Sequence, residues 1–144
     1  MATSRTIPDP PPYDRSRPLT VPSLIYQHKL PNCPGKSQVG ILVNFPPNAA
    51  TPPHRHPGAS VSAYVLKGTV VNKMNDEPTR VIEAGGTFFE APGCHHKVSD
   101  NYSTTEAAQL LATLVVDTEV VEKGGLAALT VFDEEYKDVV KGRA

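Results

Sequence analysis

The chain has no tryptophan, only two cysteines and two methionines in 144 residues, and aromatic residues make up 6% of it. Two cysteines, Cys33 and Cys94, are too few to build a disulfide framework, and they read as reduced thiols. Neither sign of charge is in excess: 14 Lys+Arg stand against 15 Asp+Glu, a net of −1. That balance argues against a nucleic-acid partner, which calls for a basic stripe. No apolar run approaches the roughly 20 residues of a membrane span. The opening stretch "MATSRTIPDPPPYDRSRP" lacks the apolar segment of a signal peptide. These absences give the expectation of a soluble, cytoplasmic protein that touches neither nucleic acid nor membrane. Long helical periodicity is missing too.

Turn-forming residues are abundant, with 15 prolines and 10 glycines. Residues 1–22 hold many of the prolines and little periodic apolar content, so they read as an extended arm, either a free tail or one draped over the domain or a partner subunit, where Leu19 and Val21 offer some apolar grip. Residues 23–132 carry short β-forming segments separated by Pro, Gly and Asn. These are 23–30, 38–45, 60–68, 68–74, 79–84, 87–91, 95–100 and 107–118. The last could pass for a helix by composition, but Thr113, Val115 and Val116 favour a strand. Residues 133–144 close the chain, and a short helix is expected at about 133–140. Its acidic start, Asp133-Glu134-Glu135, suits a helix N-terminus and carries no chemistry. A run of seven or eight short strands implies an all-β sandwich or barrel, whose interior can hold a metal or a small ligand.

Four of the five histidines fall in two short windows, "TPPHRHPGASVSAYVLKG" and "EAPGCHHKVSDN". His54 and His56 are two apart. On an extended chain both imidazoles share one face, roughly 6–7 Å apart, close enough to converge on one ion. Pro52-Pro53 before the pair and Pro57-Gly58 after it exclude a helix. The plain alternative is a pair of surface histidines on a proline-rich loop, and the H-x-H spacing alone does not decide between them.

Together the two windows resemble the cupin superfamily. Its first motif runs G-x5-H-x-H-x3,4-E-x6-G, and its second runs G-x5-P-x-G-x2-H-x3-N. His54, His56 and Gly68 match the first; Gly85, Gly93 and His96 match the second. The likeness covers about residues 38–116. Three positions depart from it: Asn48 replaces the leading glycine, Ala91 the motif proline, and Val61 the usual glutamate ligand. The final motif position falls beside Asp100 and Asn101.

The resemblance implies an all-β, single-domain jelly-roll barrel, commonly a homodimer, with His54, His56 and His96 holding one divalent ion. Iron, manganese, nickel and zinc all suit imidazole ligands. Three neutral ligands would leave open positions and the ion's full double charge, which favours an anionic substrate oxygen or a hydroxide. The expected function is a metal-dependent enzyme on a small oxygenated organic molecule, first a dioxygenase-type oxidoreductase. The alternatives are a non-oxidative decarboxylase, isomerase or cyclase of secondary metabolism, and a non-catalytic binding cupin, which the missing glutamate favours.

Glu90 and His95 are the candidate proton carriers. His95 neighbours His96, so on a strand it faces the opposite way, and a supporting role suits it better than ligation. Cys94 reads as a small buried thiol, Tyr64 as a packed aromatic, His28 as structural or exposed, and Arg55 as pointing away from the ligands.

Overall fold

A computed structural model describes residues 3–141. Twelve strands follow in chain order: β1 (Ser4–Ile7), β2 (Val21–Lys29), β3 (Lys36–Phe45), β4 (Ala50–Thr51), β5 (His54–Arg55), β6 (Ser60–Lys67), β7 (Thr69–Met74), β8 (Thr79–Glu83), β9 (Thr87–Glu90), β10 (His96–Asn101), β11 (Ala108–Asp117) and β12 (Val131–Phe132). They form two antiparallel sheets. One runs β1-β8-β7-β10-β5-β12, with β4 also on β10; the other runs β2-β3-β11-β6-β9. Each sheet turns one face inward, as period-2 alternation requires. In β6 the buried residues are Val61, Ala63 and Val65, alternating with exposed Ser62, Tyr64 and Leu66.

Two buried clusters fill the space between the sheets. Phe45, Val65, Val70, Ile82 and Leu110 make one; Val39, Val61, Leu114, Val116 and Leu129 make the other. This is the jelly-roll barrel that the motif resemblance implies.

Two details depart from the sequence reading. A helix, α1 (Thr118–Gly124), follows β11 directly, where no helix is expected. It packs Val121 onto the second cluster. The expected terminal helix is a 3-10 turn, Glu134–Tyr136, followed by α2 (Lys137–Val140).

The arm lies across its own barrel. Its β1 pairs with β8. Further along, Arg17 donates to Asp100 at 3.0 Å and to the carbonyls of Asn48, Ala49 and Asn101. Tyr13 meets Tyr136 edge-on at 5.0 Å between ring centroids.

Two motif positions acquire a backbone reason. Gly68 has φ 72°, and a Cβ there would lie 2.8 Å from the Ala107 carbonyl oxygen. Asn48 has φ 64°. Asparagine is among the few residues that tolerate this left-handed conformation, so it can stand in for the motif's leading glycine.

Candidate metal centre

β5 and β10 run side by side with His54 opposite His96, so both rings enter the barrel from one ladder. Their centroids are 4.9 Å apart, and that of His56 is 4.9 Å from His54. The three histidines therefore converge, and Glu90 joins them. His54, His96 and Glu90 are buried, and each offers a ligand atom within 4.8 Å of the others. His56 stands nearer the rim, its Nε2 3.6 Å from Glu90 Oε1.

The carboxylate comes from an unexpected strand. Val61 on β6 occupies the motif's glutamate position, and Glu90 on β9 is its direct cross-strand partner. Residues opposite each other in an antiparallel pair share a face. Both side chains line the same cavity. The donor group thus regains its carboxylate one strand over, and the expectation of an all-imidazole set gives way to histidines plus one anion. An ion held there would keep about one positive charge rather than two.

Hydrogen bonds orient each imidazole for ligation. The Nδ1–H of His54 donates to the Pro52 carbonyl at 2.8 Å, and that of His56 to the Leu129 carbonyl at 2.7 Å. A neutral imidazole held this way keeps its lone pair on Nε2. His96 is held the other way round: its Nε2–H donates to Asn72 Oδ1 at 2.5 Å, which frees Nδ1. Such outer partners commonly fix the tautomer of a metal-binding histidine.

The freed His96 Nδ1 lies 3.1 Å from Glu90 Oε1, yet both atoms are buried without a hydrogen-bond partner. Two acceptors facing each other in a dry interior repel unless a cation or proton lies between them. Burial, and then the neighbouring His96 and His56, hold the His54 ring down to about 3, so it is neutral at pH 7. Burial would raise the Glu90 carboxyl, but the three imidazoles outweigh it and hold it down at about 2. Imidazole nitrogens converging on a buried carboxylate are the kind of donor set that a divalent ion takes.

Glu90 therefore lies among the residues that could hold an ion. His95 is not in the cavity. It lies just before β10 with its Nε2 2.9 Å from both Asp133 oxygens, on the outer side of the sheet. Cys94 sits with its Sγ 3.8 Å from Met74 Sδ. Tyr64 is exposed on the outer face, His28 stacks on Tyr26, and Arg55 turns out to the Gly93 carbonyl.

Sequence reasoning missed Asn72, which orients His96, and the C-terminal segment that closes the cavity. Leu129 orients His56, and Phe132 packs on His54 with centroids 5.7 Å apart. Neither segment carries a motif, and only the fold brings them to the histidines.

The donors open into a cavity of about 140 Å³. Its other walls are aliphatic and aromatic, including Ile41, Val43, Phe45, Leu110 and Leu114, with hydroxyls from Thr20, Thr51, Ser99 and Thr130. Among the described residues lining it there is no lysine or arginine, and the four donors are its only titratable side chains.

The fold and the donor group define a cupin barrel with a histidine–carboxylate site. A model of the cupin domain matches residues 41–116, more than half of the chain, and the protein belongs to that family. Among curated proteins it is similar to oxalate oxidase GF-2.8 of Triticum aestivum, 32% identical over 89 residues, which is 55% of this chain and 39% of that protein. It is also similar to germin-like protein 5-1 of Oryza sativa subsp. japonica, 28% identical over 95 residues, covering 61% and 43%. The chain thus spans about two fifths of the length of these relatives.

Among solved structures, the cupin domain of Schizosaccharomyces pombe Cnp3 superposes with a TM-score of 0.57 at 20% identity, covering 75% of this chain and 68% of that one. An oxalate oxidase in complex with glycolate gives 0.53 at 22%, covering 79% and 63%. These likenesses support the fold. No helix among the described residues is long and apolar enough to cross a membrane.

Proposed function

We propose that the protein is a metal-dependent enzyme that oxidises a small oxygenated organic molecule, most simply as a dioxygenase. His54, His56, Glu90 and His96 would hold one divalent ion; when bound, such an ion supplies a Lewis-acidic centre for a substrate oxygen and for O2. The chain's own part is to present aimed lone pairs, keep Glu90 ionised and wall the reacting molecule off from water with Phe45, Leu110 and Phe132.

The observation that carries this reading is the absence of any titratable side chain in the described cavity wall beyond the four donors. Decarboxylation, isomerisation and cyclisation need a group that moves a proton. Glu90 is occupied in the donor set, and His95 lies outside. Insertion of both atoms of O2 asks less of such a group: only the proton that a phenol or enolisable ketone gives up on binding the ion has to leave, and no carbon has to be protonated. The non-catalytic reading rested on the lost glutamate at Val61, and Glu90 fills that gap. The oxalate oxidases among the relatives support oxidation as the class of chemistry. Oxalate itself fits less well, because two carboxylates call for cations that the wall does not offer.

The test is oxygen consumption by iron- or manganese-reconstituted protein across small phenols and enolisable ketones. Uptake that requires both metal and organic substrate is the expected result. Turnover that continues without oxygen would assign the site to non-oxidative chemistry.

A further inference from the structure

The cavity has a second polar end. Thr51 on β4 and Ser99 on β10 are cross-strand partners, three residues along the same ladder from the His54–His96 pair. Residues three apart on a regular strand face opposite sides of the sheet. Here both pairs face inward. On β10 the ladder shifts register between His96 and Val98, a bulge that resets the alternation. On the neighbouring strand the Pro52-Pro53 break between β4 and β5 has the same effect. Thr20, from the end of the arm, completes the cluster: it is 4% exposed, and its hydroxyl lies 2.7 Å from that of Thr51.

Three neutral hydroxyls thus stand at one end of the cavity and the metal donors at the other, roughly 10 Å apart along the strands. Ile41, Val43, Phe45 and Leu110 line the same cavity. A hydroxyl end without a cation suits a neutral hydrogen-bonding group and penalises a buried second charge. The volume, about 140 Å³, is close to that of a cavity that admits benzene, about 150 Å³.

Resting on the metal-centre reading above, we propose that the substrate is a bipolar molecule about the size of a substituted benzene. One oxygen goes to the metal donors, an apolar body fills the middle, and an uncharged hydroxyl or carbonyl meets Thr20, Thr51 and Ser99. The N-terminal arm is then part of the substrate site, and Thr20, Thr51 and Ser99 set its specificity.

Two probes share a phenol end and differ at the other: 4-hydroxybenzyl alcohol and 4-ethylphenol. Calorimetric titration into zinc-loaded protein should show the alcohol binding about tenfold more tightly, the size of effect expected from one hydrogen bond made at the hydroxyl end. In Thr51→Val and, separately, in Ser99→Ala, the preference for the alcohol over 4-ethylphenol should shrink towards parity while zinc content stays unchanged. If 4-ethylphenol binds as tightly as the alcohol in the unaltered protein, or if neither variant alters the preference, the inference falls and the metal centre stands. If the protein takes up no zinc, the metal reading itself falls, and this inference with it.

Discussion

Glu90 carries the most consequence of any single residue. It is buried among three imidazoles, and its partner across the β6–β9 ladder is Val61. The position of the carboxylate along the barrel matters more than the strand that supplies it. Glu90→Val alone should lower metal content at least tenfold, because it removes the one anionic donor. Adding Val61→Glu should restore most of it, as read by metal analysis and by thermal shift on metal addition. Failure of the paired change to rescue binding in a folded protein would contradict the placement.

The sequence showed the vacancy at Val61 but not its cure. Cross-strand register is a long-range property, and no local pattern pairs residue 61 with residue 90. The sequence offers Glu90 as a proton carrier, and its register with Val61 appears only in the fold.

His54 gives the pH dependence. Its ring is held at about 3 against an ordinary value of 6.5. Between those values the unfolded chain binds a proton that the folded one refuses, so stability falls as pH drops below 6.5. Glu90, held at about 2 against 4.5, adds stability above 4.5 that is lost as pH falls towards 2. Both effects run the same way. The metal-free protein should lose several degrees of Tm between pH 7 and 5, and His54→Gln should flatten that slope. An unchanged slope in the variant would show that His54 is not the buried neutral group described.

At the scale of elements, strands β4, β5 and β10 set the site. The bulge after His96 brings Ser99 inward, and it coincides with the one-residue slip that puts Asn101 beyond the motif's expected asparagine. Asn101 is 3% exposed and donates to the carbonyls of Phe45, Pro46 and Glu106. It pins the barrel rather than serving the cavity. The arm is held by Arg17, whose guanidinium pairs with Asp100 at 3.0 Å while both side chains are mostly buried. Burial raises the Asp100 carboxyl and Arg17 partly offsets that. Arg17→Ala would leave a buried carboxylate unpaired and remove three carbonyl contacts, at a cost of about 3 kcal/mol. Denaturant unfolding at pH 7 checks this, and a change within about 0.5 kcal/mol would mean that the arm is dispensable.

The strands were legible because β-branched residues alternate between Pro and Gly breaks. For the arm the sequence leaves a free tail and a docked one both open, because its contacts, the β1–β8 pairing and Arg17 among them, are made to residues far along the chain. Helix α1 was missed for a related reason: Thr118–Gly124 is short, and what holds it is Val121 in the barrel core.

At the scale of the whole molecule, two sheets bring two histidine windows together over a small apolar cavity. The windows themselves announced the centre, because H-x-H and the turn before His96 are local spacings. What lay beyond them, namely the fourth donor, Asn72 behind His96 and the closing segment with Phe132, depended on how the chain wraps. The central claim is that one ion sits among His54, His56, Glu90 and His96. The direct measurement is metal content by mass spectrometry on protein purified without a metal-affinity tag, beside His54→Ala, His96→Ala and Glu90→Gln. Close to one ion per chain is expected, reduced at least tenfold in each variant. A protein that stays metal-free after incubation with iron, manganese, nickel and zinc, or variants that keep the full complement, would contradict it.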